Sequence, residues 1–501
     1  MTPVAGALAP ATIETAASRL ADWARAHALG LILLAALALR LALLATPRSY
    51  FPDEIFQYWE AAHRLAFGPG VTPWEYRYGV RSWLLPLLLA GPMALGGRLD
   101  PAGDAYLLLP KLGLVLASLG AVAAAAAIGG RLSPRHGLFA AFLVAIWSEF
   151  ALFATQALTE AIAVTPILAG AALLEGSRQD RRRLLAGGAL LGVGAVLRFQ
   201  YGPAIAVLGA IACGRDGRRW GWTIAGGAAV IVAAGGFDMA MGDRPFGWVF
   251  ENLHQNIGLQ RSHLWTDGPA FYPVAILAMF GVAIVPVWLA ARTVVGRYPA
   301  LVACALVNLA AHTLIAHKEY RYILLSTAIA VVLAGIGTVE ALDRAAARRG
   351  GGRARLWPAA LGWLALSAAA AFASNGAHAW ERVTPELEAF AALREAPGLC
   401  GVAIVGTPWT DTGGYAYLHR AVPLYAPDAS DSAPATWVPA ASAGFDTILA
   451  PAALAAKLPP AYARGACFGD GRACLFRRPG GCDPRAAARH EINRMLVRTD
   501  R

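Results

Sequence analysis

Two adjacent carboxylates, Asp53 and Glu54, lie a few residues after the first apolar run of the chain. Carboxylates beside a bilayer are costly unless they are solvated, paired or used in function. Asp53 could be a general base that takes a proton from a hydroxyl group, with Glu54 as the residue that orients it. Asp53 could instead cap a helix that begins at Ile55, or the pair could lie in a solvated loop.

A second group of ionisable residues, His317, Lys318, Glu319 and Arg321, lies where two apolar runs meet. A turn that only connects two helices rarely needs so many charged groups. Lysine and arginine bind phosphate groups, so Lys318 and Arg321 predict a phosphate site. His317 could contact phosphate or sugar, and Glu319 could orient one of the cations.

Two further charges lie at the ends of apolar runs, Arg198 at the end of one and Glu160, after Thr159, at the start of another. Arg198 could bind the same phosphate, although an arginine that extends to the membrane interface gives the same pattern. Glu160 could contact a sugar, or it could stabilise the positive end of a helix dipole.

The stretch 63–83 combines aromatic residues, prolines, glycines and charges, among them Trp74, Glu75 and Arg81. This composition indicates a structured surface rather than a short connection between two helices. We expect these three side chains to contact the substrate.

Composition identifies a membrane protein. Of the 501 residues, 57% are hydrophobic and only 15% are charged, whereas soluble domains contain about 25% charged residues. The net charge of +11 comes from short arginine clusters between apolar runs, which is typical of cytoplasmic loops and argues against nucleic-acid binding. The sequence therefore predicts an all-α polytopic protein embedded in a lipid bilayer.

About eleven apolar runs have the length of membrane-spanning helices. They cover residues 29–46, 107–129, 138–153, 160–175, 184–199, 202–213, 221–239, 271–291, 299–316, 322–341 and 357–374. The shorter run 83–97 contains Pro86 and Pro92, and we expect it to lie at the membrane interface. With that assignment every arginine cluster faces the cytoplasm, and the candidate site residues share the exoplasmic face.

Three segments follow from this topology. Residues 1–28 are predicted to be a cytoplasmic N-terminus, and residues 29–374 a transmembrane catalytic domain whose first external loop is 47–105. Residues 375–501 are predicted to be a small exoplasmic α/β domain. Its apolar stretches at 400–405 and 446–450 have the pattern of strands.

The C-terminal segment contains four of the six cysteines, Cys400, Cys467, Cys474 and Cys482. An exoplasmic location favours up to two disulfides, which can pair in three ways. A zinc site is less favoured because the spacing lacks two close cysteine pairs.

Five motifs resemble the signatures of glycosyltransferase family 22, a member of the GT-C superfamily that includes GPI-anchor and N-glycan mannosyltransferases. They are Pro-Asp-Glu at 52–54, Thr-Pro-Trp-Glu-Tyr at 72–76, Gly-Val-Arg-Ser at 79–82, Thr-Glu at 159–160 and His-Lys-Glu-Tyr-Arg-Tyr at 317–322. The resemblance covers roughly residues 30–341 and leaves the segment 375–501 outside the pattern.

The resemblance implies a GT-C-type bundle that transfers mannose, with inversion, from a polyprenyl-phosphate donor to a glycan or glycolipid acceptor. It implies no metal and no cofactor. Asp53 would be the base and Glu54 its orienting partner. The donor phosphate would be held by Lys318, Arg321, Arg198 and His317. Substrate contacts would come from Glu75, Trp74, Arg81, Glu160 and Glu319. The composition, rich in alanine and arginine, is typical of a high-GC bacterium, so we expect an inner-membrane enzyme whose site faces the periplasm.

Two alternatives remain open at this point. A GT-C transferase could move a different sugar, such as aminoarabinose, to a lipid or a protein. A flippase or secondary transporter is less favoured because the charges cluster at the ends of apolar runs rather than near the bilayer midplane. A nucleotide-sugar donor is not supported, because the sequence contains no P-loop.

Overall fold

The computed structural model describes residues 27–49, 51–176, 180–260, 266–372, 383–428, 431, 433 and 436–499. The predicted cytoplasmic N-terminus, residues 1–28, lies almost entirely outside these ranges. Helices dominate the chain as far as residue 372. They are α1 (Ala28–Leu43), α2 (Glu60–Phe67), α3 (Trp74–Arg77), α4 (Leu84–Leu99), α5 (Ala105–Gly130), α6 (Pro134–Ile146), α7 (Ser148–Phe153), α8 (Thr159–Gly176), α9 (Arg181–Leu197), α10 (Gly202–Cys213), α11 (Gly217–Ala240), α12 (Gly247–Leu253), α13 (Phe271–Phe280), α14 (Ile284–Ala291), α15 (Pro299–Leu314), α16 (Leu324–Arg348) and α17 (Trp357–Phe372).

In the part of the chain that the structure describes, four helical segments are long and apolar enough to cross a membrane: Ala105–Gly130, Gly217–Ala240, Phe271–Ala291 and Tyr320–Arg348. A bilayer core of about 30 Å requires about 20 residues of helix. Six further helices are apolar but shorter. These lengths identify an integral membrane protein, and the total of about eleven spans stays a prediction.

The run 83–97 folds as helix α4, which has 16 residues. At 1.5 Å per residue such a helix is about 24 Å long, which is shorter than the hydrocarbon core. Its placement at the membrane interface stays a prediction.

The bundle is closely packed where small residues let helices approach. A Cβ atom added at Gly226 of α11 would lie 2.0 Å from the carbonyl oxygen of Leu185 in α9. One added at Gly335 of α16 would lie 2.7 Å from the Cα atom of Ala140 in α6. Membrane helices pack through such positions because burial against lipid supplies little driving force.

Several arginines of the predicted cytoplasmic loops meet at one end of the bundle. Arg297 and Arg344 both bind Glu340, at 3.0 and 2.7 Å, and Arg131 pairs with Glu175. Arg40 is different, because it lies inside the bundle and donates to the hydroxyl of Ser118 at 3.1 Å. A buried cation needs such partners, since leaving it unsatisfied is costly.

The predicted run 138–153 is not one helix. Helix α6 ends at Ile146, Trp147 adopts an extended conformation, and α7 begins at Ser148. The break accompanies a buried carboxylate, Glu149, which accepts hydrogen bonds from Tyr320 at 2.9 Å and Thr327 at 2.8 Å.

The C-terminal segment contains a mixed five-stranded sheet in the order β2-β1-β3-β5-β4. Strand β1 pairs in parallel with β2 and β3, whereas β5 pairs antiparallel with β3 and β4. Both predicted strands are present, as β1 and β3. The elements are α18 (Thr384–Arg394), β1 (Val402–Ile404), α19 (Gly414–Leu418), β2 (Leu424–Tyr425), α20 (Val438–Ala441), β3 (Thr447–Ala450), β4 (Ala463–Phe468), β5 (Ala473–Arg477) and α21 (Ile492–Thr499).

Two disulfides join the cysteines of this segment, Cys400 to Cys482 and Cys467 to Cys474. The structure therefore selects one of the three pairings that the sequence left open. The remaining cysteines, Cys213 and Cys304, are buried thiols.

Candidate active site

Asp53 immediately precedes a π-helix, π1 (Glu54–Trp59), which continues directly into α2. Its side chain makes no capping hydrogen bond, so the alternative of a helix cap is wrong. The side chain is 23% exposed, which leaves it accessible to a small molecule. Single π-helical turns occur frequently at functional sites.

Arg321 connects the acidic pair to the second charged group. Its guanidinium binds Oδ2 of Asp53, lies 2.5 Å from Glu319 and lies 3.5 Å from Glu160. The side chain is only 2% exposed, and a buried cation persists when it is paired and hydrogen-bonded. The structure thus brings together residues from three distant parts of the sequence.

Glu160 bridges two arginines. One of its oxygens, Oε1, lies 3.2 Å from Nη1 of Arg198 and 3.5 Å from Nε of Arg321. The other accepts a hydrogen bond of 3.3 Å from Thr159. Arg198 is 5% exposed, so it is not an arginine that extends to the membrane interface. The predicted contact of Glu160 with a sugar stays a prediction.

Glu319 and His317 form the outer part of this network. His317 Nε2 lies 2.8 Å from Glu319, and the hydroxyl of Tyr322 donates to the same oxygen at 3.0 Å. Burial opposes the charge of Glu319, but the adjacent Arg321 and His317 lower its pKa to about 2. Glu319 therefore pairs with Arg321, one of the cations that the sequence suggested it could orient. Its predicted contact with the substrate stays a prediction.

Lys318 does not lie in the phosphate-binding position that the sequence predicted. Its ammonium group donates to the carbonyl oxygens of Asp267 at 2.8 Å, Ile315 at 2.6 Å and Ala316 at 3.4 Å. An ammonium group has three N–H donors, and here each has a backbone acceptor. In this structure Lys318 therefore fastens the turn between α15 and α16 to the segment at Asp267.

Glu54 does not share a pocket with Asp53. Its Oε1 accepts hydrogen bonds from Trp59 at 2.9 Å and from the amide of Ala157 at 3.3 Å. Glu54 makes no ion pair with Arg198 or Arg81 among the described residues. Successive residues of a helix point in different directions, so the two carboxylates of the pair face different surroundings.

Glu75 lies on the short helix α3, close enough to Asp53 for their charges to interact. Gln57 donates to its Oε1 at 2.7 Å, while Oε2 is buried without a hydrogen-bond partner among the described residues. Burial and the charge of Asp53 raise its pKa to about 7, against the opposing effect of Arg81. The preceding residue, Trp74, packs its ring 6.4 Å from that of Tyr78.

Arg81 and Arg198 line one cleft beside this network. Burial works against the charge of Arg81, yet nearby Tyr58 and Asp53 raise its pKa above the usual value. In both arginines the Nε atom is buried and has no hydrogen-bond partner within the described part of the chain. The cleft is also lined by Tyr58, Ser82, Thr159, Gln200 and Trp248.

The cleft continues into an apolar groove of about 500 Å³ between helices α4, α5, α9 and α11. Leu84, Leu85, Val196 and Leu197 line both spaces. The sequence did not identify Gln200 or Trp248 as site residues. Their only signal was a position on the predicted exoplasmic face, which many other residues share.

Among the described residues, no group of three potential metal ligands lies at the Asp53 network. Within the described ranges, the one group of three potential ligands is Cys400, Asp446 and Cys482, and both cysteines are disulfide-bonded. The carboxylates around Arg321 are instead neutralised by protein cations.

The sequence model of the Alg9-like mannosyltransferase family matches residues 31–419. The chain belongs to this family. Its membership confirms the predicted resemblance. The match also corrects the expected extent of the resemblance, because it runs past the last apolar helix and reaches the C-terminal segment as far as residue 419.

Relatives in the family are GPI mannosyltransferases. GPI mannosyltransferase 3 of Yarrowia lipolytica is 29% identical over 309 residues, which cover 58% of this chain and 59% of that protein. The Drosophila melanogaster enzyme of the same name is 46% identical over 61 residues, 12% of this chain and 11% of that protein. The chain thus matches less than two thirds of the length of these relatives.

The fold is similar to that of ArnT from Cupriavidus metallidurans. The apo structure superposes with a TM-score of 0.56 and 13% identity, covering 91% of this chain and 98% of ArnT. The structure of ArnT bound to undecaprenyl phosphate gives a TM-score of 0.57 at 13% identity, with 89% and 97% covered. This mannosyltransferase-family chain therefore has the fold of a GT-C membrane glycosyltransferase.

Proposed function

We propose that the protein transfers a mannosyl residue from polyprenyl-phosphate mannose to a hydroxyl group of a glycan or glycolipid, with inversion at the sugar carbon. The acceptor hydroxyl approaches Asp53, which takes its proton as the new bond to the anomeric carbon forms. The bond between that carbon and the phosphate oxygen breaks, and its electron pair leaves with the polyprenyl phosphate. The reaction requires no cofactor or metal, because phosphate is already a good leaving group.

The arrangement of Asp53 is the observation that carries this proposal. Arg321 holds Oδ2 of its carboxylate, while Oδ1 has no hydrogen bond from any described residue. A fixed carboxylate with one available oxygen suits a base that accepts one proton from an incoming hydroxyl group. Arg321 then acts by orienting Asp53 rather than by holding the donor phosphate.

The donor phosphate is better matched to Arg81 and Arg198 than to Lys318. Both arginines line the cleft beside Asp53 and have buried Nε–H groups without acceptors, whereas the ammonium of Lys318 is bound to carbonyl groups. Phosphate oxygens would accept from these guanidinium groups and the charge of the departing phosphate would be stabilised. The binding of undecaprenyl phosphate by ArnT, a protein of the same fold, supports a lipid phosphate as the ligand.

The groove that continues from this cleft supports a donor with a long apolar chain. It is lined almost entirely by aliphatic side chains and opens between helices of the bundle. We place the protein in a bacterial inner membrane with this site facing the periplasm. The arginine clusters are predicted to lie on the opposite, cytoplasmic side of the membrane.

Replacing Asp53 with Asn tests the proposal. The general base contributes roughly 10²–10⁴-fold to rates of this kind, so D53N should lose about that factor in mannose transfer. The assay would supply labelled polyprenyl-phosphate mannose to purified protein, with membranes from a deletion strain as the source of acceptor. The affinity of D53N for the donor should be unchanged, because Arg81 and Arg198 are intact.

A matched control replaces Asp100, an exposed carboxylate at the end of α4, with Asn. D100N should keep wild-type activity. Transfer by D53N at more than half of the wild-type rate would rule out Asp53 as the base. Transfer of another sugar in preference to mannose would replace the proposed donor while leaving the role of Asp53 in place.

A further inference from the structure

The segment 409–419 follows the last apolar helix in sequence, yet it contacts the residues that come directly after Asp53. The rings of Trp409 and Phe56 lie 4.8 Å apart, edge to face. Glu60, which is fully buried, accepts a hydrogen bond of 2.5 Å from the amide of Ala416. The helix α19 is thus held against π1 and α2.

Glu54 is the one carboxylate of π1 (Glu54–Trp59). It is 0% exposed, and its Oε2 has no hydrogen-bond partner among the described residues. Burial raises the pKa of Glu54, and the charge of Lys111 is the largest influence that opposes this rise. The two groups also meet at Trp59, whose indole N–H donates to Oε1 of Glu54 at 2.9 Å and whose ring centroid lies 5.7 Å from the ammonium of Lys111.

Lys111 is held by the C-terminal segment. Its ammonium donates to the hydroxyl of Tyr417 at 3.0 Å. It lies 5.4 Å from the ring centroid of Tyr417 and 5.7 Å from that of Trp59, distances at which a cation is attracted to an aromatic face. Tyr417 and π1 therefore enclose the cation from two sides.

We propose that Glu54, Lys111 and Tyr417 are positioning residues that hold π1 in the conformation in which Asp53 faces the acceptor. The segment after the last apolar helix is then part of the catalytic unit, and the second member of the acidic pair works through its neighbour. Asp53 and Glu54 are adjacent, so a shift of the buried Glu54 moves Asp53. Displacements of about 1 Å can lower rates by about 10²-fold. This inference rests on the proposed role of Asp53 as the base.

Charge compensation provides the test. Lys111→Met keeps the aliphatic stem but removes the ammonium group that lies between Tyr417 and the ring of Trp59, the residue whose indole N–H donates to Glu54. The loss also removes the positive charge that favours the ionised form of Glu54. K111M should lower kcat by at least about tenfold. The donor KM should stay within about twofold, because the arginine cleft is unchanged.

The double variant K111M/E54Q removes both charges. Its kcat should return to within about threefold of wild type, because coupled residues give effects that do not add. E54Q alone should lower kcat, since it leaves Lys111 as the unpaired charge. A side chain that only filled space would show no such recovery.

Lys457, an exposed lysine of the C-terminal segment, supplies the matched control, and K457M should have wild-type kcat. If K111M is not monodisperse after purification, Tyr417→Phe is measured in its place. It removes only the hydroxyl that holds Lys111 and should lower kcat about three- to tenfold at unchanged donor KM.

Wild-type kcat in K111M, or in Y417F where that variant is used, would overturn the proposal. Loss of activity in K111M that E54Q does not recover would overturn it as well. The D53N experiment separates this inference from the proposed function. Activity in D53N would contradict the proposed function. Inactive D53N together with fully active K111M would contradict only the positioning role of Glu54, Lys111 and Tyr417.

Discussion

At the scale of single residues, the carboxylates around Asp53 differ in what neutralises them. Glu160 and Glu319 are paired with arginines, and Glu54 is hydrogen-bonded away from the cleft. Glu75 has no direct ion pair in the described structure, and its raised pKa of about 7 means that it changes charge within the physiological range. It is therefore the carboxylate whose state should depend on ordinary pH.

We expect the donor KM to rise with pH because of Glu75. Below pH 7 the group is mostly protonated and neutral, and above pH 7 its negative charge competes with the donor phosphate for Arg81. One unit charge in this setting is worth about 1 kcal/mol, or about fivefold in KM between pH 6 and pH 8. Steady-state kinetics at both pH values measure the change.

Glu75→Gln should abolish this dependence, because glutamine does not titrate. The exposed Glu395 provides a control, and E395Q should retain the wild-type profile. A wild-type donor KM that does not change between pH 6 and pH 8 would contradict the assignment.

Residue types predicted several side chains that the structure brings together, but not all of their partners. Arg198, Glu319 and Arg321 are in the network that the sequence indicated. The sequence placed Lys318 at the phosphate, whereas its ammonium group donates to backbone carbonyls. Residue identity does not reveal such backbone acceptors. Glu54 was assigned to the same site as Asp53 because the two are adjacent in sequence. Neighbouring residues on a helix face different directions, however, and the structure gives the two carboxylates different surroundings.

At the scale of elements, apolar runs predicted most helices because a membrane helix must satisfy its backbone internally and cover itself with apolar side chains. The exception at 138–153 shows the limit of that argument. Hydropathy averages over the run, whereas the break at Trp147 accompanies a single inward carboxylate, Glu149, and its partners on another helix. Strands β1 and β3 were also predicted, but their neighbours in the sheet were not, because pairing depends on distant chain segments.

The contact between α19 and α2 depends on a glycine. Gly414 has φ of +55°, and a Cβ atom there would lie 2.5 Å from Oε1 of Glu60. We expect Gly414→Ala to destabilise the folded protein by about 2–3 kcal/mol, from the left-handed backbone and the forced movement of Glu60. Thermal unfolding of the detergent-solubilised protein measures the loss.

Gly350 separates these two causes. It also has a positive φ, +73°, but no atom lies within 4 Å of an added Cβ. G350A should therefore show only the backbone cost, about 1 kcal/mol. Equal shifts for G350A and G414A would mean that the contact with Glu60 contributes nothing.

At the scale of the whole molecule, charges are divided between the two ends of the bundle. Arginines of the predicted cytoplasmic loops meet around Glu340 at one end, and the Asp53 network lies among the segments that the sequence placed on the opposite face. The positive-inside rule assigns the first end to the cytoplasm. The C-terminal segment is joined to the other end through α19, so it should share an exoplasmic location with the site.

The disulfides provide an independent test of this orientation, because they persist in oxidising compartments and are rare in the cytoplasm. In a variant without the two buried thiols, C213S/C304S, the other four cysteines are paired. Treating intact cells with a membrane-permeant thiol reagent should leave this protein unlabelled, and prior reduction should expose up to four sites. Mass shifts on a denaturing gel measure the number of labels. Full labelling without reduction would place the C-terminal segment in a reducing compartment and would reverse the orientation of the bundle.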